Sequence, residues 1–77
     1  MHYLTKLFLD AAALRKGNIR DDYSIHRLVY SLFPLEQERS RFLYADKGSV
    51  RGGRLLLVLS EKEPNVPEYV TSATTII

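Results

Sequence analysis

Tyr23, His26, Arg27 and Tyr30 are the residues of this chain best placed to do chemistry together. They fall within residues 21–34 (DDYSIHRLVYSLFP), where Ile25, Leu28, Val29, Leu32 and Phe33 recur at the i, i+3, i+4, i+7, i+8 spacing of an amphipathic helix. Rotating that helix by about 100° per residue puts Tyr23, His26 and Tyr30 on one flank, beside the apolar stripe, with Arg27 next to them. An imidazole can give and take a proton near neutral pH, and a phenol or guanidinium can stabilise charge that develops nearby. This grouping therefore suits proton-transfer chemistry. Taken alone, a single helical histidine is more often structural than catalytic.

The helix that must position these groups carries its own start and stop signals. Asp21 or Asp22 can act as N-cap, accepting from the first free N–H groups and meeting the positive end of the helix dipole. Pro34 marks the end, because the residue before a proline is pushed out of helical geometry. The expected helix covers residues 22–33, with Ile25, Val29 and Leu32 buried against Leu7 and Leu57.

Around it the pattern is mostly strand. Tyr3–Leu9 is apolar on both faces and reads as a central strand, with Tyr3, Thr5, Leu7 and Leu9 on one face and Leu4, Lys6 and Phe8 on the other. Residues 10–20 read as a loop carrying Arg15, Lys16 and Arg20. Ala11 to Lys16 could make a helical turn, but Gly17-Asn18 is a break signal. A polar connector at 35–40 leads to a second strand at 41–46. Residues 47–53 (KGSVRGG) hold three glycines and read as a hairpin loop. Residues 55–59 (LLLVL) form a third, deeply buried strand, 61–67 a proline-containing linker, and 69–77 (YVTSATTII) a last strand rich in Val, Thr and Ile.

The order strand, helix, strand, strand, linker, strand predicts an α+β fold. It matches a ferredoxin-like β-α-β-β unit with an antiparallel sheet, in which the second helix is missing or replaced by the linker. With 77 residues there is room for one domain, whose core is small without a partner or further chain. Because the pattern ends inside strand residues at Ile76-Ile77, residues 1–77 are expected to be the N-terminal domain of a two-domain protein, or to pair their last strand with another chain.

Composition narrows the function classes. The chain is 45% hydrophobic and 26% charged, a globular balance. No apolar run approaches a membrane span and no signal-peptide pattern is present, so the expected location is cytoplasmic. With no cysteine, thiolate chemistry and Cys-based zinc sites are excluded. His2 and His26 with scattered carboxylates match no metal-ligand spacing, and residues 47–53 lack the phosphate-loop pattern, so neither metal nor cofactor is expected. Net charge is only +2, yet Arg39, Arg41, Lys47, Arg51 and Arg54 cluster against Asp46 alone. Arginine-rich patches suit phosphate contacts, although ordinary solvated charges around a hairpin would look the same.

Tyr3-Leu4-Thr5-Lys6, then Tyr23-x-x-His26 leading into Leu32-Phe33-Pro34, then Phe42-Leu43-Tyr44 and a glycine-flanked apolar strand, together resemble the amino-terminal half of the CasE family. These are the CRISPR repeat endoribonucleases of type I-E systems, subunits of the Cascade complex. The resemblance runs over nearly all of the chain. It implies metal-independent cutting of the repeat RNA hairpin, by in-line attack of a 2′-hydroxyl that leaves a 2′,3′-cyclic phosphate, with the mature crRNA kept bound in Cascade. His26 matches the family's catalytic histidine, and Tyr23 the tyrosine one turn earlier. Arg27, Arg39, Arg41, Lys47, Arg51 and Arg54 become candidate RNA contacts. Some relatives carry a basic residue five positions after the histidine, where this chain has Ser31, so charge must come from elsewhere, such as Arg27 or the 11–20 segment. The resemblance also implies a second, RNA-gripping domain, without which residues 1–77 are expected to be inactive. The residues leave a second class open: a non-catalytic RNA- or protein-binding module of the same fold, such as a mimic or inhibitor of the CRISPR complex.

Overall fold

The computed structural model describes residues 2–33 and 42–77. Pro34, the connector, and the candidate cations Arg39 and Arg41 lie outside the described residues. The chain runs β1 (Tyr3–Leu9), α1 (Ala11–Lys16), α2 (Asp22–Ser31), β2 (Phe42–Val50), β3 (Gly53–Ser60) and β4 (Thr71–Ile76). The strands form one antiparallel sheet in the order β2-β3-β1-β4. β1 and β2 therefore point the same way with β3 between them, a split β-α-β arrangement compatible with a ferredoxin-like unit.

Alternation along the strands sets the two faces of this sheet. Leu7 and Leu9 of β1 and Leu56 and Val58 of β3 turn to one face and are fully buried beneath Ala13 of α1 and Ile25, Leu28, Val29 and Leu32 of the α2 region. Thr5 is buried on the same face, where its hydroxyl lies 3.2 Å from that of Thr74 on β4. The expected partner Leu57 falls one residue out of phase. It pairs with Lys6 and Ala45 on the opposite face, and Leu56 and Val58 take its place under the helix.

Residues 10–20 form a short helix rather than a loop. Asp10 caps it, its Oδ1 accepting from the Ala13 N–H at 2.8 Å. Gly17-Asn18 ends the helix instead of preventing it. Asn18 takes a left-handed conformation (φ 54°), its N–H donates to the Arg15 carbonyl, and the Ile19 N–H donates to the Leu14 carbonyl at 2.9 Å. That closure, with Leu14 and Ile19 both packed on the core, is a Schellman-type stop. α2 itself ends at Ser31, two residues before the expected limit, with Leu32 as its C-cap and the Phe33 N–H still donating to the Tyr30 carbonyl.

The expected glycine-rich loop is mostly strand. β2 runs on to Val50, absorbs an irregularity between Asp46 and Ser49, and turns through two residues, Arg51 and Gly52. Both have positive φ (48° and 80°), as a type I′ hairpin turn requires. Gly53 is needed for a different reason: a Cβ there would run into the Leu9 carbonyl and the Phe8 ring. Between β3 and β4 no second helix forms among the described residues. Val66, Tyr69 and Val70 pack the crossover onto the core instead, and the Asn65 N–H donates to the Leu32 carbonyl at 2.9 Å, tying it to the end of α2. β4 docks on β1 of its own chain, and His2 and Ile77 extend that pairing by exchanging backbone hydrogen bonds. No helix among the described residues is long and apolar enough to cross a membrane.

Candidate active site

The register of α2 is pinned at its first turn. Asp21 is extended (φ −150°), and its carboxylate accepts from the Ser24 N–H at 2.9 Å and the Ser24 hydroxyl at 2.8 Å. The backbone bond from Ser24, and then its hydroxyl, hold the Asp21 carboxyl below the usual carboxylate range. With Ile25, Leu28 and Val29 buried, the helix is left with one orientation, in which Tyr23, His26, Arg27 and Tyr30 are exposed.

The imidazole of His26 leans toward β2. Its Nδ1 lies 3.4 Å from the Tyr44 hydroxyl, at the long end of a hydrogen bond, and its ring centroid is 4.2 Å from that of Tyr30. Tyr30 meets Phe42 edge-on at 5.0 Å, and Phe42 stacks on buried Phe33 at 4.8 Å. A row of rings thus runs from the solvent-facing histidine into the core. With Nδ1 beside Tyr44, Nε2 is the nitrogen left to exchange a proton with a substrate. Tyr23 is 68% exposed one turn before His26 and makes no side-chain hydrogen bond among the described residues. Its phenol is available to an incoming group.

The sequence offers Tyr44 only within Phe42-Leu43-Tyr44, not as a candidate site residue. Its alternation with Phe42 marks it as sharing the face under the helix, but that pattern predicts packing, and nothing in the sequence pairs position 44 with position 26.

The basic residues separate. Arg54 is bound to Asp46, with its Nη2 3.0 Å and its Nε 3.1 Å from Oδ2. That hydrogen-bonded pairing holds the Asp46 carboxyl below its ordinary range and raises the Arg54 guanidinium above its own. Lys47 and Arg51 are exposed at the irregularity and the turn of the hairpin. Between this hairpin and the start of α2 is an open recess of about 410 Å³, lined by Asp22, Ile25, Tyr44, Asp46, Gly48 and Arg54. Its two carboxylates against one paired guanidinium make it a poor host for a phosphate. Arg27 lies instead on the other flank of α2, where it shares a second cleft with Arg20 and Ser31. No three His, Asp or Glu side chains converge as metal ligands among the described residues.

Comparison with curated proteins and with solved structures found no significant match. A family model described as CRISPR associated protein matches residues 2–76, essentially the whole chain. The four-stranded sheet, the capped helix and the exposed histidine at its centre are thus features of a chain that belongs to the CRISPR-associated protein family.

Proposed function

We propose that this chain is the histidine-bearing domain of a metal-independent endoribonuclease that cuts CRISPR repeat hairpins and stays bound to the mature crRNA within Cascade, in the cytoplasm. The observation that carries the reading is the exposed His26, oriented by the Tyr44 hydroxyl on a helix pinned by its Asp21 cap, in a chain of the CRISPR-associated family. The 2′-hydroxyl beside the scissile phosphate attacks in line and the P–O bond to the next nucleotide breaks. The products are a 2′,3′-cyclic phosphate and a 5′-hydroxyl. His26 Nε2 takes the proton from the nucleophile or gives one to the leaving oxygen, and the Tyr23 phenol donates to a phosphorane oxygen. Lys47 and Arg51, with Arg39 and Arg41 as further candidates, hold RNA phosphates, and Arg54 can join them only by leaving Asp46.

The test is cleavage of a repeat hairpin in EDTA by the full-length protein, with this domain and the proposed second one. His26→Ala should lower the rate by ~10²–10⁴ while leaving RNA affinity nearly unchanged, because proton transfer matters in the transition state and little in the ground state. Undiminished cleavage by the variant, or a requirement for divalent metal, would overturn the reading. RNA bound but never cut by the wild-type protein with both of its proposed domains would mark a non-catalytic binding module of the same fold.

A further inference from the structure

Three separate parts of the chain line an open cleft of about 310 Å³ on the flank of α2 away from Tyr44. Asn18 and Arg20 come from the α1–α2 turn, Ser24, Arg27 and Ser31 from α2, and Tyr69 from the β3–β4 crossover. That size is at the lower end of small-ligand sites, roughly 300–1,000 Å³.

The charge of this cleft is opposite to that of the recess beside Tyr44. Arg20 and Arg27 stand against one carboxylate, Asp21, which already accepts two hydrogen bonds from Ser24. The single salt bridge among the described residues joins Arg54 to Asp46, and within those residues neither Arg20 nor Arg27 takes part in one. Two guanidinium groups beside an open cleft suit an anion with several oxygens, of which phosphate is the commonest biological example.

The hydroxyls narrow the ligand further. Ser24 Oγ donates to Asp21 at 2.8 Å and Ser31 Oγ donates to the Leu28 carbonyl at 2.6 Å. Each hydroxyl has a single proton, so what remains for a ligand is acceptor lone pairs. Lone pairs repel phosphate oxygens but accept from a ribose hydroxyl or a base N–H. Half-buried Tyr69 adds a ring on which a base can stack.

We infer that this cleft binds one nucleotide of single-stranded RNA, with its phosphate at Arg20 and Arg27, its ribose 2′-hydroxyl donating to Ser24 or Ser31, and its base against Tyr69. The choice of RNA rests on the RNA-processing reading above, but the test does not depend on cleavage. The amide spectrum of the protein is followed by NMR during titration with adenosine 5′-monophosphate, its 2′-deoxy counterpart and inorganic phosphate. Saturable shifts at Asn18, Ser24, Arg27, Ser31 and Tyr69 are expected, strongest for the ribonucleotide. They should weaken roughly tenfold or more in Arg20→Gln/Arg27→Gln, since a charge-assisted contact is lost at each position. Both arginines are exposed, so the variant should keep the wild-type melting temperature. Tyr69→Leu, which keeps apolar contact, should abolish the preference for nucleotide over free phosphate. No saturable shift with any ligand, equal binding of inorganic phosphate and nucleotide, or shifts unaffected by the double substitution would overturn the inference. Loss of cleavage in His26→Ala would be independent of each of these results.

Discussion

Among the described residues the Tyr44 hydroxyl is the one side-chain hydrogen-bond partner of His26, so Tyr44→Phe isolates orientation from packing. The ring contacts survive and only the hydrogen bond is removed. A neutral bond of that kind contributes ~0.5–1.5 kcal/mol, so if it holds the imidazole for the reaction, cleavage should slow by roughly 2–10-fold, with RNA affinity unchanged. An unchanged rate and pH profile would make Tyr44 a packing residue. Asp46 offers a second test at this scale. Its carboxyl is held below the usual range by Arg54, so the stability it contributes is present above about pH 4 and is lost as pH falls through its lowered folded-state value. Both side chains are partly exposed, which limits the pair to about 0–1 kcal/mol. Asp46→Asn should therefore lower the melting temperature slightly at pH 7 and hardly at all at pH 2. Equal losses at both pH values would show that the ion pair is not the cause.

At the scale of elements, the face of β3 that meets the helices separates two neighbouring leucines. Leu56 is fully buried beneath α2, whereas Leu57 lies half-buried on the opposite face. Leu56→Ala should cost ~2–5 kcal/mol, enough to unfold much of so small a domain, and Leu57→Ala clearly less. Denaturation midpoints of the two variants give the comparison, and equal losses would place β3 in the other register. The hairpin of β2 and β3 gives three closely spaced glycines, a loop signal in the sequence, three separate tasks. Gly52 serves the turn and Gly53 the close approach of β1, while Gly48 (φ 87°) sits in the irregularity of β2. Turn chemistry occupies two residues, and the rest of the stretch is strand.

At the scale of the molecule, both helices and the β3–β4 crossover pack on one face of the sheet. The other presents Leu4, Phe8, Leu55, Leu57 and Leu59, half-buried, and Leu43, 73% exposed. Contiguous apolar surface of this kind favours association. Light scattering on a concentration series should show self-association that Leu43→Lys reduces. Because Leu43 is largely exposed, that substitution should leave stability within about 0.5 kcal/mol of wild type. Association that the substitution leaves unchanged would direct attention to the free edge of β4.

Local patterns in the sequence determined much of this protein. Period-3.6 spacing placed α2 and its buried stripe, period-two alternation placed β1, and Asp21-Asp22 announced a cap that the structure realises with Asp21 at Ser24. The family followed from the whole length of the chain. Only the tertiary structure decided the rest, because it depends on residues distant in sequence. α1 exists because Asp10 caps it and Ala13 is buried on the core, which outweighs a nearby break signal. Leu56 rather than Leu57 faces the helix because pairing with β1 and β2 sets the phase of β3. Tyr44 reaches His26 across 18 positions, and Tyr69 joins Arg20 and Arg27 only once the crossover has packed against α2. Spacing within an element is written in the chain itself. Which elements then meet, and which charges end up paired, is settled by burying one common core.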